Sequence, residues 1–218
     1  MPRALFEKTG NAVYISHLDL MRLFQRAFKR AGLNLTHTQG FTPRPSVSIA
    51  LPLSVGVESE CELLDFELYG ESVPMEEIRN KLNAALVAGV RVKEVYDDGR
   101  KIRYLSFLRC RVTLEYDHGV APGTADAIRA LFARESILLE KKGKNGVTEQ
   151  DIIPMIRSLE ITEGEGELIL EAVICCQNPT LNPSQLVAAI RQYLPEQAPD
   201  FATIRRLEVY DQENNTFR

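Results

Sequence analysis

The chain has 218 residues, 44% of them hydrophobic and 26% charged, with 26 basic and 30 acidic side chains and a net charge of −4. That balance belongs to a globular protein and excludes a disordered chain. No apolar run approaches the roughly 20 residues a spanning helix needs. The opening MPRALFEKTG lacks the apolar core of a signal peptide, so no membrane association and a cytoplasmic location are expected.

The charge is unevenly spread. Residues 16–48 carry Arg22, Arg26, Lys29, Arg30 and Arg44 against Asp19 alone, a local balance of +4, while residues 49–218 hold −9. One basic segment on an acidic body suits either a localised anionic partner or a solvated helix face. Cys61, Cys110, Cys175 and Cys176 form no CxxC pair and have no histidine nearby, so they read as small buried hydrophobes, and no metal is expected. There is no phosphate loop, dinucleotide fingerprint or GxSxG, so no cofactor is expected.

In chain order, residues 3–8 and 12–15 are β-prone pieces broken by Gly10-Asn11, one bulged strand or a short hairpin. Ser16-His17-Leu18-Asp19 fits a capping box opening a helix. Leu20, Leu23, Phe24, Ala27, Phe28 and Ala31 then fall on one face; Arg22, Gln25, Arg26, Lys29 and Arg30 take the other, and Gly32 ends it. A short β-prone piece (33–37), a loop (39–45), a run 46–53 and a strand 61–69 follow. Pro74 opens a second helix that buries Met75, Ile78, Leu82 and Leu86 and stops at Gly89, before a strand over 90–96.

The polar stretch 97–101 reads as a linker, after which the pattern recurs. A strand over 105–116 is followed by a helix over 122–133 and a segment 136–150 whose KKGKNG turn reads as an insertion. Strands over 156–162 and 167–175 flank a Glu-Gly-Glu-Gly hairpin turn. Asn182-Pro183 caps a last helix burying Leu186, Val187 and Ile190, and a strand over 201–210 closes the chain. The fold class expected is α+β: two tandem ferredoxin-like β-α-β-β-α-β units, each an antiparallel sheet with its helices on one face. They span 1–98 and 104–211, and 212–218 is a polar tail that should fray.

The basic helix face could contact successive phosphates or dock on an acidic protein surface. The loop Gln39-Gly40-Phe41-Thr42-Pro43-Arg44-Pro45 is a second candidate. Its prolines hold Thr42 and Arg44 extended, so Phe41 could stack on a base while Arg44 pairs with a phosphate. Alternatively, Phe41 plugs the core and the prolines stiffen a crossover. His17 stands at a helix N-terminus and His37 lies 20 residues on. If brought together, they could act as general base and acid on a ribose 2′-hydroxyl, the chemistry of a metal-independent endoribonuclease. Glu58, Glu60 and Glu62 alternate along a strand and read as an exposed face.

Ser16-His17-Leu18-Asp19, Arg26…Arg30-Ala31-Gly32-Leu33, Gln39-Gly40-Phe41-Thr42-Pro43-Arg44-Pro45 and Leu51-Pro52-Leu53…Gly56-Val57-Glu58-Ser59 resemble the bacterial radical-SAM-linked domain family, a domain of unknown function found alone or fused behind a radical SAM enzyme. Where that family has Ser before the Gln-Gly-Phe and often His between the prolines, this chain has Thr38 and Arg44, so no role tied to a histidine at position 44 carries over. The chain has no CxxxCxxC and cannot itself hold a radical SAM cluster. The resemblance therefore implies a stand-alone companion whose partner is a radical SAM enzyme. Taken with the basic segment, the expected function is a non-catalytic binding module, RNA-binding or substrate-presenting. His17, Arg22, Arg26, Arg30, Gln39, Gly40, Phe41 and Arg44 are its candidate binding residues, and a pure protein–protein adaptor is a third reading.

Overall fold

A computed structural model describes residues 1–39, 41–70, 72–143 and 146–218. The protein is α+β, with antiparallel strand pairing and, among the described residues, four α-helices, and it divides into two compact units, Met1–Tyr104 with Arg218, and Leu105–Phe217. No helix among the described residues is long and apolar enough to cross a membrane.

The first unit runs β1 (Arg3–Lys8), α1 (His17–Arg30), β2 (Val47–Ile49), β3 (Glu58–Phe66), α2 (Met75–Ala85) and β4 (Val90–Tyr96). Its strands lie in the order β4-β1-β3-β2, all antiparallel. Alternation along β1 and β3 turns Ala4, Phe6, Leu64 and Phe66 to one side. There they meet Leu20, Phe24, Ala27 and Phe28 of α1 and Ile78 and Leu82 of α2. The Phe24 ring packs edge-on against Phe6 at 4.7 Å and Phe28 lies 5.0 Å from Phe66. Each such buried ring contributes about 1.5–3 kcal/mol by transfer from water.

Three local features differ from expectation. Residues 12–15 are not a strand: Gly10–Tyr14 form a 3₁₀ turn that buries Ala12 and Val13, and the ammonium of Lys8, itself fully buried, donates to the Val13 carbonyl at 3.1 Å. That turn seats against Gly89, where a Cβ would collide with the Thr9 carbonyl oxygen, so no larger residue fits there. β2 is only three residues long, and Leu51 just beyond it has φ 50°, which ends the extended run. Finally, Glu58, Glu60 and Glu62 are not an evenly exposed face, since Glu62 is 2% exposed.

The edge strand β4 is shielded by α2. The Asn83 amide donates to the Val92 carbonyl at 2.9 Å and accepts from the Val92 amide at 2.8 Å, occupying backbone groups that could otherwise template another strand.

The second unit runs β5 (Leu105–Glu115), α3 (Thr124–Phe132), β6 (Leu138–Gly143), β7 (Gly146–Asp151), β8 (Ile156–Glu163), β9 (Glu167–Cys175), α4 (Ser184–Tyr193) and β10 (Phe201–Asp211). Its main strands lie in the order β10-β5-β9-β8, while β6 and β7 pair as a separate two-stranded ribbon. The expected KKGKNG turn falls partly on Lys144 and Asn145, outside the described residues. Leu108, Cys110, Val112 and Leu114 of β5 are buried, as are Leu168, Leu170, Ala172 and Ile174 of β9. Cys110 and Cys176 are packing residues whose thiols are pushed up to about 12 by burial.

Residues 212–218 do not fray. The Asp211 carboxylate accepts from the amides of Glu213 and Asn215 at 3.0 and 2.9 Å. The turn this closes returns Phe217 to the core, where it is fully buried with its amide on the Val209 carbonyl. A polar composition concealed one anchoring aromatic.

Candidate functional site

At the start of α1, Ser16 holds an extended backbone, and its Oγ accepts from the Asp19 amide at 3.2 Å and donates to Asp19 Oδ2 at 2.7 Å. Arg22 Nη1 completes the set at 2.9 Å from Asp19 Oδ1. The Ser16 hydroxyl first, and then Arg22, hold the Asp19 carboxyl below its ordinary value. Both residues are therefore occupied in capping the helix. His17 follows, half-buried, with Nδ1 enclosed and without a hydrogen-bond partner.

The basic face expected of α1 is divided. Arg22 is tied to Asp19, and Arg30 crosses to α2, where Nη2 donates to the Ala85 carbonyl. The last carbonyls of a helix have no partner within it, so Arg30 serves as a C-terminal cap for its neighbour. Arg26 and Lys29 are exposed and make no hydrogen bond or ion pair among the described residues. They stand three residues apart, hence on adjacent positions of the outer helix surface.

The loop after α1 forms a short two-legged finger. Thr36 and Ser46 pair with Glu67 through the Thr36 amide on the Glu67 carbonyl (2.9 Å) and the Glu67 amide on the Ser46 carbonyl (3.1 Å). Further out, His37 bridges Pro45, and the Thr38 amide donates to the Arg44 carbonyl at 2.8 Å. The Arg44 amide returns the bond to the Thr38 hydroxyl at 3.1 Å. These ties explain the composition: Thr38 supplies the acceptor, and Pro43 and Pro45 cannot donate, so the legs pair only where Arg44 and Ser46 have amides. Gln39, Phe41, Thr42, Pro43 and Arg44 are exposed, and Gly40 lies outside the described residues. Phe41 is 110% exposed, so it does not plug the core; the loop carries this ring into solvent three residues from the exposed Arg44.

At the base of the finger lies an open groove of about 670 Å³. Gln25, Phe28 and Lys29 of α1 form one wall, and Leu33, Asn34, Leu35, Thr36, His37 and Pro45 line the finger side, with Tyr69 completing it. Tyr69 is 77% exposed, and its position is set by backbone pairing: its amide donates to the Asn34 carbonyl at 2.7 Å, next to the Leu35–Leu68 bridge. Sequence reading did not single out Tyr69, Gln25 or Asn34. Only an aromatic residue at the outer end of a predicted strand hinted at it, and the pairing that brings Tyr69 to α1 is not local in sequence.

The two histidines are not brought together. His37 shares the groove with Gln25 and Lys29, whereas His17 begins the helix. At 1.5 Å per residue those positions lie roughly 12 and 18 Å further along the axis. His37 lines the groove and His17 is not among its lining residues.

The chain belongs to the family described as an uncharacterized protein conserved in bacteria (DUF2344), whose model matches residues 2–183. No curated protein matches it in sequence. Among solved structures it resembles a chain of the crystal structure of a Cbf5–Nop10–Gar1 complex, with TM-score 0.52 and 10% identity over 95% of this chain and 48% of that one. It also matches a chain of an archaeal box H/ACA sRNP Nop10–Cbf5 complex (TM-score 0.42, 11% identity, 94% and 46% covered). A third match is an unknown protein from Galdieria sulphuraria (TM-score 0.27, 11% identity, 94% and 96% covered). The chain thus spans about half the length of the first two, and the likeness to the Cbf5–Nop10–Gar1 chain is one of fold.

Proposed function

We propose that this member of an uncharacterized bacterial family is a non-catalytic module that binds single-stranded RNA. The observation that carries the reading is the finger, which holds Phe41 wholly in solvent, three residues from the exposed Arg44, on a backbone tied at both legs. An exposed, pre-positioned aromatic is costly to keep in water and suits stacking on an unpaired base, a contact every base offers. Arg26, Lys29 and Arg44 supply cationic side chains that make no hydrogen bond or ion pair among the described residues, on a chain that is otherwise acidic. The order of elements and strands in each unit supports describing both as ferredoxin-like, a framework common among RNA-binding modules.

On this reading a separate enzyme acts on the RNA that the module holds, and the sequence resemblance names a radical SAM enzyme as that partner. Binding of a labelled single-stranded RNA, followed by fluorescence anisotropy across a salt series, tests the binding. Each phosphate contact contributes a slope of about −0.7 in log affinity against log salt. Arg26→Ala with Arg44→Ala should flatten the slope by about 1.4, at an unchanged melting temperature. A wild-type protein with no salt-dependent affinity, or a double variant that binds as the wild type does, overturns the reading. Recovery of an acidic protein partner without nucleic acid would instead favour an adaptor.

A further inference from the structure

We infer that the groove between α1 and the finger is a seat for one unstacked nucleobase, so that the module fixes the register of its RNA as well as its charge. This deepens the RNA-binding reading and rests on it. The lining has the make-up such a seat requires. Phe28, Leu33, Leu35 and Pro45 provide an apolar floor, and the Tyr69 ring stands open to one side. Gln25, Asn34 and His37 bring groups that can donate and accept at a base edge. Lys29 stands on the rim, three residues from Arg26, where the phosphate of a seated nucleotide would lie.

The groove adjoins the finger through shared residues. His37 and Pro45 line it and also bridge the two legs, so the groove and the exposed tip belong to one loop. Convergence of a few polar groups on a mostly apolar concavity is the general form of a small-ligand site. The acidic neighbour Glu67 has one carboxylate oxygen occupied by the Thr36 hydroxyl, which donates to it at 2.9 Å. The side-chain amides of Gln25 and Asn34 each present a donor and an acceptor together, the pair that matches an adenine edge bidentately, which favours the nucleotide.

The test is an abasic scan: a labelled single-stranded RNA of defined sequence in which each position in turn lacks its base. With wild-type protein, one or two positions should lose about tenfold in affinity and the others about twofold or less. Tyr69→Ala should erase that contrast while keeping the salt slope, and Tyr69→Phe, which retains the ring, should restore it. A flat scan, or a Tyr69→Ala protein that still distinguishes the same positions, overturns the seat while the salt-dependent binding stands. Failure of the intact RNA to bind wild-type protein at any salt overturns both readings together.

Discussion

Phe41 and Phe24 offer the sharpest contrast in the molecule, because the same substitution should act on different properties. Phe41 buries no surface in the folded chain, so Phe41→Ala removes no packing; its effect on stability should stay within about 0.5 kcal/mol. Its ring is available to a ligand, and losing one base–aromatic stack costs about 1–3 kcal/mol of binding, roughly 5- to 150-fold in affinity. Phe24 is the opposite case. It is fully buried with its ring 4.7 Å from Phe6, and Phe24→Ala should cost about 3–5 kcal/mol. In a chain of this size that lowers the melting temperature by roughly 10 °C. The assay pairs thermal unfolding by circular dichroism with anisotropy of a labelled single-stranded RNA for both variants. A Phe41→Ala protein that binds RNA normally, or that unfolds several degrees early, would refute the assignment of this residue to a working surface.

Two further outcomes follow from the same geometry. Arg30→Ala should destabilise the protein by about 1 kcal/mol, through the Ala85 carbonyl it leaves without a donor, and should change the RNA salt slope little; denaturant titration and the anisotropy series separate the two. The Asp19 carboxyl has its folded value depressed below 3.8, chiefly by the Ser16 hydroxyl and then by Arg22. Its contribution to stability is therefore present above the unfolded value and is lost as pH falls through the folded one. Asp19→Asn should weaken the protein at neutral pH and lose less stability than wild type on acidification, measured by unfolding at pH 6 and pH 2. An identical acid-side slope in the two proteins would show that the cap carries no such linkage.

Helix α1 was legible to within a residue because all its determinants are local: a Ser16 cap, a 3.6-residue apolar stripe and a glycine with φ 68° just after it. The strands β1, β4, β9 and β10 were legible for the same reason. Sequence reading failed where neighbours outweighed local propensity. Ala12-Val13-Tyr14 has strand character, yet the chain turns there because Lys8 and Gly89 close on the turn. The tail 212–218 is polar apart from Phe217, and a single buried ring with one well-capped turn is enough to order it.

The candidate surface divides along the same line. The sequence by itself determined that positive charge is concentrated in residues 16–48, that Ser16 and Asp19 belong to a helix start, and that Phe41 and Arg44 share a proline-stiffened loop. It could not determine which arginines are free. Arg22, Arg26 and Arg30 are equivalent in a helical pattern, and only the position of Ala85, 55 residues from Arg30, commits one of them to packing. Nor could it place Tyr69 and His37 on the same groove as Lys29, with His17 outside it. Those relations depend on how β-bridges at Leu35 and His37 fold the loop back along α1, and pairing of that kind is written in the tertiary structure alone.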